Sequence, residues 1–430
     1  MRVDTLEILR CPYCGGRLEL VESLFHRRAD ATVRGTGAPG GDIVDGILGC
    51  HCCIFPVVDG IPVMHLQTAA TEARDLVQAG EPALARRKMF GLESDADAAA
   101  FDAVASSATA TYRETVDALG PNFEGGYFLY RFSDPTFIVA EAVVRAVAGT
   151  VLAGDGRAID ICGGSGHLTR TLVELSQAPP ILADLYYAKV WLARRFTAPG
   201  CEPVCCDGNA PFPFAKGAFR FAMCTDAFMY IWTKRQFVGE MSRLIDPASG
   251  AVLIGHTHNE RTWTPSHGQP LAPEGYADLF EWIEPRIFAE GNLFEDVVAG
   301  GPLDLTRRDD AATLDAAPAM TIVATRHHDV FAKHTIALRP VTGELRVNPL
   351  YAQEPMDGNR VRLRLRFPGE DYEQEYGACR RYLPDEETID RGAIDALRSL
   401  PARAARELLP PAVADLVRRR ILLDLPLRYY

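Results

Sequence analysis

The chain has 430 residues, 47% hydrophobic and 24% charged, so it can bury sizeable cores and is neither mainly disordered nor fibrous. That length exceeds one ordinary domain, and two or three compact units are expected. Acidic residues outnumber basic ones 57 to 45, and the net charge of −12 argues against nucleic acid and anionic membrane surfaces as partners.

The opening MRVDTLEILRCP lacks the basic and apolar regions of a leader, and no run of 18 or more apolar residues follows. A cytoplasmic protein without a membrane span is therefore expected. In that compartment eleven cysteines argue for metal ligation or buried thiols rather than disulfides. Five of them fall in the first 53 residues, as CPYC (Cys11, Cys14) and CHCC (Cys50, Cys52, Cys53). Two CxxC knuckles can meet and offer a zinc ion four soft tetrahedral ligands. Cys11, Cys14, Cys50 and Cys53 complete that spacing, with Cys52 competing for the fourth place and His51 a weaker rival.

A leucine-rich lead into CPxC, a second knuckle, and the string FPVVDGIP from Phe55 to Pro62 resemble the small zinc-ribbon family that activates tRNA and release-factor methyltransferases. The departure is the single residue, Ile54, between the second knuckle and the aromatic, where that family usually has about three. A closed four-thiolate site favours a structural over a catalytic role for the metal.

Residues 67–120 are Ala-rich and read as two or three helices, interrupted at Pro82 and Gly91. In YRFSDPTFIVAEAVV, Ser133 or Asp134 followed by Pro135 supplies a helix start. Next, RAIDICGGSGHLTRTLVEL gives a strand carrying Asp160, a turn with Gly163, Gly164 and Gly166, and an amphipathic helix from His167. Glycines let backbone approach a ligand, and the helix N-terminus offers unpaired N–H groups. A dinucleotide fingerprint starting at Gly164 would need a small residue at 169, where Thr169 stands.

The string D-x-C-G-G-S-G resembles motif I of class I S-adenosylmethionine-dependent methyltransferases, with Cys162 where the first glycine often is. The resemblance implies backbone contacts from residues 162–166 to the methionyl end of that cofactor. It also implies that Asp184, 24 residues beyond Asp160 and followed by Leu185, accepts the ribose hydroxyls. Asp207, with Gly208 after a third short strand, matches the acid that accepts from the adenine amine. Taken singly, each acid could instead be a helix cap or turn former. FRFAMCTDAFMYI is a fourth strand ending near Thr225, and GAVLIGHTHN a fifth. Cys205, Cys206 and Cys224 read as packing residues.

Acceptors in an open α/β sheet lie beyond the carboxyl ends of the strands. The candidates there are Asp226 and Tyr230 after strand four and His256, His258 and Asn259 after strand five; His258 is the preferred general base and His256 the second. Methyltransferases acting on amide nitrogens and exocyclic base amines typically carry an Asn/Asp-Pro-Pro-aromatic turn after strand four. Here that place reads CTDAF, which argues against a nucleic-acid base amine or glutamine amide as acceptor.

DLFEWIEPRIFAE suggests a short amphipathic helix, TIVAT a late strand of the sheet, and residues 334–368 a small antiparallel sheet; ETIDRGAIDAL to LVRRRILLDLP reads as two or three helices. Arg362, Arg364 and Arg366 share one strand face, read as solvated. His327, His328, His334 and His267 show no ligand spacing.

The expected architecture is α/β: a doubly wound Rossmann-like sheet with an N-terminal zinc ribbon and a C-terminal α+β accessory region. Its units are 1–66 ribbon, 67–148 helical linker and cap, 149–333 cofactor domain and 334–430 accessory domain. The expected function is methyl transfer from S-adenosylmethionine to a small-molecule acceptor, with Zn²⁺ structural. The alternative is an RNA- or translation-factor-directed enzyme or activating module whose ribbon recruits the substrate.

Overall fold

The computed structural model describes residues 1–21, 42–120, 128–154, 156–264, 268–336, 339–392 and 409–430. Seven short apolar runs form one sheet: β1 (Ala158–Ile161), β2 (Ile181–Asp184), β3 (Glu202–Cys205), β4 (Phe221–Thr225), β5 (Ala251–His258), β6 (Arg286–Ala289) and β7 (Ala319–Thr325). Their order is β3-β2-β1-β4-β5-β7-β6. The first five are parallel, and β7 runs antiparallel to both β5 and β6. The classic dinucleotide sheet puts a sixth parallel strand beside the fifth. This chain has the reversed β7 there instead.

β1 and β2 are buried along their whole length, as expected of parallel strands covered on both faces. On one face Leu182, Phe221, Met223 and Leu253 pack with helices α1 (Pro135–Val151), α2 (Thr169–Leu175) and α3 (Tyr187–Leu192). On the other, Ile159, Ile161, Ala183, Ala222 and Ile254 pack with α4 (Lys234–Leu244). Helix α1 begins as its sequence dictates, with Pro135 in the first turn and the Asp134 carboxylate accepting from the Phe137 N–H at 2.6 Å.

The N-terminal module docks on that second face. Leu9, Leu48, Phe55 and Met64 share a core with Ile181, Val204 and Phe214. Its backbone also joins the sheet edge: Val63 bridges Cys205, and the Met64 N–H donates to the Cys205 carbonyl at 2.7 Å. Within the module, strands Gly46–Gly49 and Ile54–Val58 form a hairpin turning at residues 50–53.

Downstream, the expected amphipathic helix in DLFEWIEPRIFAE does not form. Glu284 precedes Pro285, which disfavours helical backbone there, and Arg286–Ala289 pairs with β7 as edge strand β6. Helix α5 (Glu290–Val298) follows directly. In the C-terminal region Tyr351–Pro355, Arg360–Leu365 and Glu386–Asp390 form a three-stranded antiparallel sheet, and Glu344–Val347 pairs instead with Leu422–Leu425. Helix α6 (Glu370–Tyr376) connects two strands of the three-stranded sheet. Of the helices expected from ETIDRGAIDAL to LVRRRILLDLP, Pro411–Arg418 forms, both ends of that stretch (Glu386–Asp390 and Leu422–Leu425) are strands instead, paired with distant segments, and residues 393–408 lie outside the described residues. Among the described residues no helix is long and apolar enough to cross a membrane.

Candidate functional site

The strand order reverses direction between β1 and β4, the switch point at which open α/β sheets bind ligands. A cleft of about 820 Å³ opens there, lined by residues that follow β1, β2, β3 and β4. Asp160, Cys162, Gly163, Gly164, Asp184, Leu185, Asp207, Gly208 and Thr225 all lie on its wall, as do Asp226 and Tyr230.

The first turn is shaped by close packing. A Cβ on Gly163 would fall on Leu182 and the Asp160 carboxyl, and Gly164 takes φ 55°. Gly166, expected to touch cofactor, does not line the cleft; its φ is 77°, and a Cβ there would meet the Ala193 methyl at 2.7 Å. That glycine lets the turn sit against the helix after β2, a packing role.

Asp184 is fixed by two backbone donors, Gly164 N–H at 2.9 Å and Tyr186 N–H at 2.9 Å. A carboxylate so held keeps further lone pairs for other donors. Asp207 accepts from the Asn209 N–H at 2.8 Å and from the Gln67 side-chain amide at 3.4 Å, so the segment after the N-terminal module reaches the cleft. Asp160 is buried and accepts from the Thr169 hydroxyl at 2.6 Å. Burial, reinforced by the nearby Asp184 charge and opposed by that hydrogen bond, pushes its carboxyl up to about 7.

Three non-glycine residues in the left-handed region cluster at adjacent strand ends: Cys162 (φ 59°) after β1, Asp226 (φ 57°) after β4 and His256 (φ 46°) in β5. Such backbone is uncommon outside glycine and concentrates at functional sites. Two of the three, Asp226 and His256, belong to a charge network. Arg131 pairs with Asp226 at 2.8 Å and with Asp134 at 3.2 Å. His256 lies between Glu290, at 2.8 Å from Nδ1, and Asp226, at 3.9 Å from Nε2. Burial opposes the charged imidazole, yet Glu290 and Asp226 outweigh it and raise His256 to about 9.

The structure does not bring His256 and His258 to the cleft wall. His256 lies between the Glu290 and Asp226 carboxylates, which favour its charged form. Burial and the neighbouring His256 charge lower His258 to about 4; its ring packs edge-on to His256 with centroids 5.4 Å apart, and its Nδ1 is 3.3 Å from the Thr264 hydroxyl. Neither histidine of the expected general-base pair lines the cleft: His256 lies between Glu290 and Asp226, and His258 packs against it.

Sequence reasoning missed Arg131, Lys189, Glu375 and Tyr376, which also line the cleft. Arg131 carries only a local helix-start signal, and α6 is contributed from far along the chain. The Lys189 ammonium lies over the rings of Tyr186 (4.7 Å) and Phe128 (5.1 Å). His167, on the cleft's inner side, is held neutral: burial first, then Arg131, lower it to about 3, and its Nε2 meets the Tyr429 hydroxyl at 2.7 Å.

A second candidate site lies in the N-terminal module, where Cys11, Cys14, Cys50 and Cys52 place their sulfurs within 4.8 Å of one another. The Cys11–Cys52 and Cys50–Cys52 separations are 3.6 Å, and Cys14–Cys50 is 3.7 Å. A tetrahedral ion about 2.3 Å from each sulfur would set neighbouring sulfurs about 3.8 Å apart, so the donor set fits zinc. Cys53, expected as the fourth ligand, is not in the set, and Cys52 takes that place. The reason is the hairpin turn. The Cys50 N–H donates to the Cys53 carbonyl at 3.0 Å, which commits Cys53 to the start of the returning strand and leaves Cys52 at the apex.

No family model and no curated protein matches the chain. Solved structures similar to it include a candidate methyltransferase of Bacillus halodurans C-125, 14% identical over 43% of this chain and 98% of that one, with a TM-score of 0.30. Another is the complex of the Haloferax volcanii Trm112 methyltransferase activator with a candidate methyltransferase, 14% identical over 43% and 89%, with a TM-score of 0.34. A third is the geranyl diphosphate C-methyltransferase of Streptomyces coelicolor A3(2), 16% identical over 41% and 73%, with a TM-score of 0.31.

Proposed function

We propose that this protein is an S-adenosylmethionine-dependent methyltransferase acting on a small-molecule acceptor, with a structural zinc ion held by Cys11, Cys14, Cys50 and Cys52. One observation carries the reading: the acids of three successive strands, Asp160, Asp184 and Asp207, line a single cleft together with the Gly163–Gly164 turn. Asp184, oriented by two N–H groups, is placed to accept the ribose hydroxyls, and Asp207 to accept the adenine amine. Asp160, whose carboxyl burial raises to about 7, would ionise to meet the cationic methionyl end.

When bound, the cofactor supplies an electrophilic methyl group on a sulfonium, displaced in line by the acceptor. The residues of this chain have to align the two and accommodate the acceptor's proton. Thr225 at the end of β4, Asp226 and Tyr230 beyond it, and Glu375 and Tyr376 of α6 bound the rest of the cleft. Closure of one wall by the accessory region supports a small acceptor over a nucleic acid, as does the net charge of −12.

Calorimetric titration with S-adenosylmethionine, S-adenosylhomocysteine and NAD tests the reading. Binding of the first two and not of NAD is expected; preferential binding of NAD would replace it with an oxidoreductase. Tight, salt-sensitive retention of tRNA on filters would instead favour the RNA-directed alternative.

A further inference from the structure

The N-terminal module carries five cysteines, and the zinc reading on which this inference rests uses four of them, Cys11, Cys14, Cys50 and Cys52. Cys53 stands outside that donor set but touches it. Its sulfur lies 3.4 Å from that of Cys52, nearer than the 3.6 and 3.7 Å that separate the ligand sulfurs. Its N–H donates to the Cys50 sulfur at 3.4 Å, and that sulfur is 3.5 Å from its carbonyl oxygen. Cys52 is exposed and Cys50 and Cys53 are half-buried, so solvent reaches the turn that holds all three.

Four thiolates complete a tetrahedral zinc ion, which leaves the fifth sulfur for other chemistry. A cysteine sulfur that meets a hydroperoxide is carried to the sulfenic acid, and a neighbouring thiolate then condenses with it to a disulfide. The backbone decides which neighbour. Adjacent Cα atoms are about 3.8 Å apart, below the roughly 4.4–6.8 Å that a disulfide spans, so a Cys52–Cys53 bond is strained. Cys50 and Cys53 instead close the turn at His51 and Cys52, with the Cys50 N–H on the Cys53 carbonyl at 3.0 Å and Gly49 paired with Ile54 beyond them. Residues joined in this way across a hairpin have Cα atoms about 5.5 Å apart, inside the disulfide range.

We propose that Cys53 is a redox sensor for the zinc site. A hydroperoxide oxidises the Cys53 sulfur: its O–O bond breaks, Cys53 becomes a sulfenic acid, and water or an alcohol leaves. The Cys50 thiolate then attacks that sulfur and expels hydroxide, forming the Cys50–Cys53 disulfide. The two sulfurs have supplied the two electrons that reduce the peroxide, and the site has lost a ligand that lies 3.6 Å from Cys52 and 3.7 Å from Cys14. Three sulfurs no longer close the tetrahedron, and the metal is released. The same hairpin carries Leu48 and Phe55 into the core shared with Ile181 and Val204, so release also loosens that edge of the sheet.

The test uses the full chain as purified, with its zinc measured by elemental analysis. Hydrogen peroxide is added beside a chromogenic zinc chelator, and cysteine pairing is read by mass spectrometry of the digested protein. Wild type is expected to release its zinc and to show Cys50 joined to Cys53; a thiol reductant with added zinc should restore the loaded site. Cys53→Ser is expected to load zinc as wild type does, which also shows that its ribbon is folded, and to keep the metal in the same peroxide. The proposal is overturned if wild type keeps its zinc in peroxide, if Cys53→Ser releases it as fast as wild type, or if the disulfide formed is another pair. It is overturned equally if Cys53→Ser loads no zinc, which would make Cys53 a ligand. Absence of zinc from the purified wild-type protein would instead sink the zinc reading beneath it.

Discussion

Asp160→Asn separates the proposed cofactor chemistry from simple packing. In the folded protein burial raises this carboxyl to about 7, whereas an unfolded Asp titrates near 4. Folding therefore takes up a proton between those values. The group costs nothing below about pH 4, where both states are protonated; stability falls as pH rises from about 4 to 7 and then levels off at a cost on the order of 4 kcal/mol. Asn, which can still accept from the Thr169 hydroxyl, removes that cost. The variant should denature at higher urea than wild type at pH 8 when no cofactor is present, with the gap closing towards pH 4. Binding of a cationic cofactor runs the other way, because it needs the ionised carboxylate. If only that form binds, wild-type affinity for S-adenosylmethionine at pH 5.5 is about thirtyfold lower than at pH 8, and Asp160→Asn binds weakly with no such slope. Calorimetry at the two pH values measures both. A wild-type affinity flat with pH, or an Asn variant that keeps the slope, would refute the reasoning.

Metal content distinguishes the two cysteines at the hairpin: Cys52→Ser should lose the zinc measured by elemental analysis, and Cys53→Ser should keep it. Gly163→Ala should abolish cofactor binding in calorimetry, because the added methyl falls on Leu182 and Asp160. For His256, the raised value means a stabilising charge that is fully present below pH 6.5 and is lost as pH rises through about 9. Glu290→Gln should lower the imidazole titration seen by NMR and bring that loss to lower pH; an unchanged titration would show that Glu290 does not hold the proton there.

The parallel part of the fold was legible because its signals are local. Each strand is a short apolar run, and the acids and glycines stand next to the strands that place them. The gathering of Asp160, Asp184, Asp207 and the Gly163–Gly164 turn on one cleft wall followed for the same reason. The errors came where distant pairing decides. Arg286–Ala289 has a helical-looking composition, yet β7 offers it a ladder and Pro285 blocks the helix. Cys53 has the better CxxC spacing, but hairpin register puts Cys52 opposite Cys11. His256 and His258 stand at a strand end, as a general base would, and only the packing of Glu290 from α5 reveals that a carboxylate sits 2.8 Å from the His256 ring, off the cleft wall. Glu375 and Tyr376 carry no local mark of function; they reach the cleft through the accessory sheet.

The most direct test of the account is a crystal structure with S-adenosylhomocysteine bound. The account predicts ligand density in the cleft at the β1–β4 switch point, with the ribose hydroxyls on Asp184, the adenine amine on Asp207 and the methionyl end over the Gly163–Gly164 turn. Density elsewhere, or in this cleft with the ribose away from Asp184, would contradict it.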